Sequence, residues 1–132
     1  MKPIKQALLF GVLASFGCGT IPGRDVRYEP TPMPIVRALL ELAEVGPRDV
    51  VYDLGSGDGR IPITAAKEFG ARGVGIEIDP ALVTQAQANA RQAGVEDKVA
   101  FRLGDMYAAD VRSATKTTNR LFWVFGFRLL TP

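Results

Sequence analysis

The segment Asp53-Leu54-Gly55-Ser56-Gly57-Asp58-Gly59-Arg60 follows the apolar run Val50-Val51-Tyr52 and sets an acid just ahead of three alternating glycines. Glycine at Gly55, Gly57 and Gly59 suits a turn whose backbone passes close to a ligand or adopts φ > 0, where a side chain would clash. A helix predicted from Ile61 would aim its free N–H groups and its positive pole at whatever the loop cradles. The loop is therefore expected to take a nucleotide-like ligand carrying a carboxylate or phosphate. Its spacing is not that of the dinucleotide fingerprint G-x-G-x-x-G, because Gly-Ser-Gly-Asp-Gly is one residue shorter. Asp53, two residues before the first glycine, is placed to accept from a ligand ammonium or from loop amides.

Two further acids recur at the same structural position. Glu77 closes the run Gly73-Val-Gly-Ile-Glu77 at about 20 residues past the loop, the separation at which a carboxylate in βαβ folds takes ribose hydroxyls. Asp105, followed by Met106, closes the run Val99-Ala-Phe-Arg-Leu-Gly104. Acids at the carboxyl ends of three successive predicted strands are a more specific signal than one glycine loop, since open α/β sheets bind ligands outside those ends. Turn formation and helix capping are the other roles open to Asp53, Glu77 and Asp105. Asp58, inside a glycine-rich turn, needs no functional reason.

The elements that must position these residues follow from periodicity and breakers. Pro34 opens a predicted helix over Ile35 to Val45, with Val36, Leu39, Leu40 and Ala43 as its apolar stripe and Gly46-Pro47 as its stop. Strands are predicted over Val50 to Leu54, Val74 to Ile78 and Val99 to Leu103. Helices run between them from Ile61 to Phe69 and from Pro80 to Ala93, the latter ended by Gly94. Strands alternating with helices of this length predict an α/β fold, a doubly wound parallel sheet with right-handed crossovers. Beyond Asp110 the pattern weakens: 113–119 is polar, and Leu121-Phe-Trp-Val-Phe125 is the apolar run available for a fourth strand.

With 132 residues and 47% hydrophobic content, the chain makes one small domain. Its net charge of +2 gives no basic stripe, so nucleic acid is not expected as a partner. The absence of histidine and the single cysteine exclude a His-bearing metal site, a Ser-His-Asp triad and an internal disulfide. Carboxylates, Tyr28, Tyr52, Tyr107, lysines and water are left for proton handling. Residues 1–20 differ in kind: Lys2 and Lys5 precede an apolar stretch from Ala7 to Phe16 and the small residues Gly17, Cys18 and Gly19. That stretch is too short to span a bilayer core of about 30 Å but matches a signal-peptide core. A buried start to a core helix is the other reading. Ser15-Phe16-Gly17 before Cys18 departs from the usual lipoprotein site. The expectation is an exported or membrane-associated chain, or a cytoplasmic domain on an uncleaved tether. Residues 21–34 are read as a Pro-rich linker and 35–132 as the ligand-binding domain.

The pattern D-x-G-x-G-x-G at Asp53 to Gly59 resembles motif I of the class I S-adenosylmethionine (SAM) methyltransferases. The tract Tyr28-Glu-Pro-Thr-Pro32, the loop through Arg60 and Gly75-Ile-Glu-Ile-Asp-Pro80 are together similar to the ATP-synthase c-subunit lysine methyltransferase family and its bacterial relatives. The likeness spans Tyr28 to Thr115. It implies a Rossmann-like domain binding SAM through Asp53, Gly55, Ser56, Gly57, Gly59 and Ile78, with Glu77 at the ribose and Asp105 and Met106 at the adenine. It also implies that the Pro-Thr-Pro tract folds over the cofactor, that Arg60 helps to hold the loop, and that the acceptor is a protein lysine whose neutral amine attacks the sulfonium methyl. No metal and no catalytic side chain is assigned. Members of that fold have seven strands and this chain supplies at most four, so the domain is expected to be incomplete, from a shifted frame or a truncated gene. A SAM-binding module without methyl transfer and a small-molecule methyltransferase stay open. A NAD-linked oxidoreductase fits Glu77 but not the glycine spacing.

Overall fold

A computed structural model describes residues 28–119. Residues 1–20, most of the linker and the run Leu121 to Phe125 lie outside the described residues. The elements run α1 (Met33–Leu42), β1 (Val50–Leu54), α2 (Arg60–Phe69), β2 (Arg72–Glu77), α3 (Pro80–Ala93), β3 (Val99–Leu103), a short 3-10 turn (Met106–Ala108) and β4 (Lys116–Asn119). The strands lie in the order β3-β2-β1-β4, all pairs parallel. The chain moves outward from β1 to β3 and then crosses back to place β4 on the other side of β1. That reversal puts a switch point at the carboxyl end of β1, where open α/β sheets hold their ligands.

One sheet face is covered by helices. Val51 of β1 packs with Val36 and Leu40 of α1 and Ile61 and Ala65 of α2, all buried. On the opposite face Tyr52, Val74 and Ile76 are covered by Ala109, Val111 and Ala114, and the Tyr52 hydroxyl is 2.8 Å from Ser113 Oγ.

Several predicted boundaries move, each for a local reason. Helix α1 starts at Met33 and ends at Leu42 rather than Val45. The Pro32 carbonyl accepts from Ile35 and Val36 at one end. At the other, Glu44 adopts φ 52° while its amide and that of Val45 return to Glu41 and Leu40, the paired bonds of a Schellman ending. Val45, outside the predicted apolar stripe, is still buried in the same cluster as Leu40. Strand β2 begins at Arg72 and stops at Glu77, one residue before Ile78. It stops because the Glu77 side chain, not a neighbouring strand, accepts the Ile78 amide at 2.9 Å.

The fourth strand is the largest departure. It begins within the segment read as polar, at Lys116, in register with Val51. Thr115 anchors it: its amide donates to the Val50 carbonyl at 3.0 Å, and its hydroxyl donates to Asp49 Oδ1 at 2.7 Å and accepts from the Val50 amide at 2.8 Å. Tertiary pairing marks this strand where hydrophobic alternation does not. Among the described residues no helix is long and apolar enough to cross a membrane.

Candidate functional site

The glycine loop turns its amides into the protein. Those of Gly55 and Ser56 both donate to the Ile76 carbonyl, at 2.8 and 3.0 Å, and that of Gly59 donates to Ser56 O at 2.9 Å. Gly57 donates to Glu77 Oε2 at 2.8 Å and Arg60 to Asp58 Oδ1 at 3.3 Å. Five of the six amides from Gly55 to Arg60 are thus engaged. Pro62, in the first turn of α2, has no N–H to offer. The expected amide cradle for a phosphate or carboxylate is not what this loop builds.

The three glycines are required for three different reasons. Gly55 has φ 84° and its absent side chain faces open space. A Cβ at Gly57, φ 54°, would overlap the Tyr28 ring. A Cβ at Gly59, φ 80°, would lie 2.5 Å from Phe101 Cζ and 2.9 Å from Ala86 Cβ, inside the fold. Sequence spacing predicts φ > 0 or a close ligand approach at each of these positions; all three adopt φ > 0, and Gly55 is the one of the three whose missing side chain faces open space.

Around Gly55 the strand ends carry carboxylates. Asp53 is 5% exposed, Glu77 8% and Asp79 8%. Buried acids need donors, since desolvating a charge without them is costly. Glu77 has three: Gly57 on Oε2, and Ile78 and Asp79 on Oε1 at 2.9 and 3.0 Å. Asp79, which sequence reasoning left out of the site, caps α3 by accepting from the Ala81 amide at 2.9 Å; the Asp-Pro pair before that helix was its signal. Asp105 is exposed and caps the 3-10 turn through the Tyr107 amide at 2.9 Å, so the capping role open to it is one it performs. Ile78, 47% exposed, follows β2, and Met106 follows Asp105 beyond β3. The register Glu77 to Leu103 brings those two strand ends side by side.

A strap formed by residues 28–32 lies across the loop. Arg60 Nη1 donates to the Thr31 carbonyl at 2.8 Å while its other nitrogens grip Asp58, the closest contact being Nη2 to Oδ2 at 2.6 Å. Arg60 therefore ties strap to loop, in the role expected of it. Burial opposes ionisation of Asp58, but the hydrogen bonds and charge of Arg60 outweigh it and hold the carboxyl below the usual range. Tyr28 moves the other way, its phenol raised first by burial and then by the Asp58 charge. From the far side, Asn89 of α3 donates to the Asp58 carbonyl at 2.9 Å, a contact with no sequence signal. The gap left between strap and loop, bordered by Asp53, Gly55 and Gly57, is about 20 Å³, room for one water. Any larger group between them has to lift the strap.

Comparison with known proteins places this geometry. A sequence model of the ANTKMT methyltransferase domain matches residues 53–124. A protein-lysine N-methyltransferase of Saccharolobus islandicus is 45% identical over 94 residues, 70% of this chain and 58% of that protein. An ATP-synthase c-subunit lysine N-methyltransferase of Xenopus laevis is 33% identical over 124 residues, 94% of this chain and 52% of that protein. The chain thus spans little more than half the length of these two relatives. The crystal structure of an RNA methyltransferase from Salinibacter ruber in complex with S-adenosyl-L-homocysteine superposes with TM-score 0.68 at 60% identity, covering 69% of this chain and 60% of that one. A SAM-dependent methyltransferase from Geobacter sulfurreducens, also with S-adenosyl-L-homocysteine, gives TM-score 0.59 at 31% identity, over 66% of this chain and 36% of that one. The parallel sheet, its strand order and the loop at its switch point are those of the Rossmann-like class I methyltransferase fold. The chain belongs to the ANTKMT methyltransferase domain family.

Proposed function

We propose that the chain is the cofactor-binding part of a SAM-dependent methyltransferase that acts on protein lysine. The observation that carries this reading is the pairing of a loop whose amides are spent within the protein with a set of buried strand-end acids, Asp53, Glu77 and Asp79. Such a site has little to offer a phosphate and much to offer a ligand bearing positive charge and hydroxyl donors. SAM carries a sulfonium, an ammonium and ribose hydroxyls that suit these acids, and no phosphate; its single carboxylate is the group for which the loop amides form no cradle. When bound, it supplies an electrophilic methyl group.

In this reading Asp53 accepts from the ammonium at the end of β1 and Glu77 accepts the ribose hydroxyls at the end of β2. Ile78 and Met106 flank the adenine, with Asp105 at its edge. Gly55 leaves the approach open, and the strap lifts to admit the methionyl end. Carboxylates on this side also suit a protein acceptor that is cationic. The lysine assignment rests on the names of the relatives in Saccharolobus and Xenopus. The Salinibacter neighbour, an RNA methyltransferase, favours an RNA acceptor, and the near-neutral charge of this chain argues against that. Membrane association through residues 1–20 belongs to the same proposal, and fractionation of cells expressing the full chain tests it.

Calorimetric titration of the full chain with SAM, S-adenosylhomocysteine and NAD tests the cofactor reading. Binding of the first two and not the third is expected; NAD binding in their place overturns it. Transfer of labelled methyl from SAM in a lysate, followed by protease or nuclease digestion, then decides between protein and RNA, and acid hydrolysis of the labelled protein with detection of methyllysine tests the lysine assignment.

A further inference from the structure

Phe101 stands in the middle of β3, in register with Gly75 of β2, and its ring fills the space that two glycines leave empty. A Cβ at Gly75 would lie 2.6 Å from Phe101 Cδ1, and one at Gly59 would lie 2.5 Å from Cζ and 2.7 Å from Cε1. The ring is therefore wedged between β2 and the last glycine of the loop, with Ala86 of α3 closing the third side. Ser56 completes the seat. Its hydroxyl is buried without a hydrogen-bond partner and lies 2.5 Å from the position of a Gly75 Cβ, so it points down at the strand and not out at the ligand side.

A hydroxyl left in that state is a cost the fold accepts to bring the loop down onto β2. The contact is close enough that the Ile76 carbonyl reaches two loop amides at once. The loop thus meets β2 from below through these hydrogen bonds and through the Phe101 and Ser56 contacts.

Resting on the SAM reading, we infer that Phe101 is a positioning residue for cofactor binding: by filling the notch made by Gly59 and Gly75 it sets the height of the glycine loop above β2, and so the separation between the Gly55 approach and the Glu77 carboxylate.

The test compares Phe101→Leu, Phe101→Val and Phe101→Ala in the full chain with Val95→Ala, a buried substitution in the connection between α3 and β3. Affinity for S-adenosylhomocysteine and amide exchange at Gly55 to Gly57 are measured alongside denaturant stability. Phe101→Leu is expected to stay near wild type. Phe101→Ala is expected to weaken binding by about tenfold or more and to speed loop exchange, because a site displaced by a fraction of an ångström loses its fit. Val95→Ala should change neither beyond its effect on stability. If Phe101→Ala does not fold, Phe101→Val decides. Equal losses in the Phe101 and Val95 variants overturn the inference. A wild-type chain that binds no S-adenosylhomocysteine counts against the cofactor reading instead, and the exchange data still decide whether Phe101 sets the loop.

Discussion

Glu77 holds Gly57 from below, its Oε2 accepting the loop amide at 2.8 Å while Oε1 serves Ile78 and Asp79. The carboxylate is thus a structural tie between loop and strand before it is a ligand group. Glu77→Ala removes the acceptor for three amides, of which those of Gly57 and Asp79 are buried, at about 1–3 kcal/mol for each buried donor left unpaired. The expected result is a loss of several kcal/mol in urea unfolding together with loss of SAM binding. Glu77→Gln keeps one acceptor oxygen and should lose less stability than Glu77→Ala while still binding poorly. An alanine variant with wild-type stability would show that the carboxylate does not hold the loop.

Gly57 and Gly55 separate backbone strain from steric contact. Both have φ in the left-handed region, so alanine at either costs about 1–2 kcal/mol. At Gly57 the new methyl also strikes the Tyr28 ring, whereas at Gly55 it meets nothing. Gly57→Ala is expected to displace the strap, seen as faster amide exchange or protease cleavage near Thr31, and Gly55→Ala to leave the strap in place. Adding Tyr28→Ala to Gly57→Ala should recover the steric part of the loss and not the strain. An additive double mutant would place the Tyr28 ring away from Gly57.

The core of the fold was legible because its signals are local. The strands Val50–Leu54 and Val99–Leu103 and the helix Pro80–Ala93 have the predicted bounds, each marked by a turn residue or a proline. Acids at successive strand ends marked the site in the same way. What escaped reading depends on distant partners. β4 carries two β-branched threonines but no apolar alternation to mark it, and its place is set by Thr115 and Lys116 lying beside Asp49 and Val51. That a side chain at Gly59 would strike Phe101, far along the chain, could not be read from the loop itself. The direction of the loop amides is likewise set by the Ile76 carbonyl, to which no residue type in the loop points.

The strap latch should depend on pH in a way that follows from its two titrating groups. Burial opposes ionisation of Asp58, but Arg60 outweighs it, so the folded value lies below the unfolded one. Its contribution is then complete above about pH 4 and is lost as the pH falls through the depressed value. Tyr28 has its folded value raised, first by burial and then by Asp58. Its contribution is complete below about pH 10 and is lost as the pH rises through the folded value. Amide exchange of the strap, corrected for intrinsic rate, is expected to stay flat between those limits and to rise outside them. In Arg60→Ala the acid limb should move up toward the ordinary aspartate range, because the hydrogen bonds and charge that hold the half-buried Asp58 down are gone. An unmoved acid limb in that variant would mean that Arg60 does not hold Asp58.

Gly73 and Gly94 offer a second contrast, between a glycine required by its neighbours and one required by its own backbone. A Cβ at Gly73 would lie 2.7 Å from Pro62 Cβ, 3.0 Å from Pro62 Cα and 3.1 Å from its carbonyl oxygen. Two of those three atoms are backbone of the first turn of α2, so relief requires moving the helix that carries the loop. Gly94 ends α3 at φ 69° with open space around it, so alanine there meets only the left-handed penalty of about 1–2 kcal/mol. Gly73→Ala is expected to cost more, about 1–3 kcal/mol from overpacking against backbone that cannot yield, and to disturb cofactor binding as well. Gly94→Ala should lower the urea midpoint without changing affinity. If both variants lost stability but neither lost affinity, the contact of α2 on β2 would be a support for the fold alone, and the loop would keep its place without it.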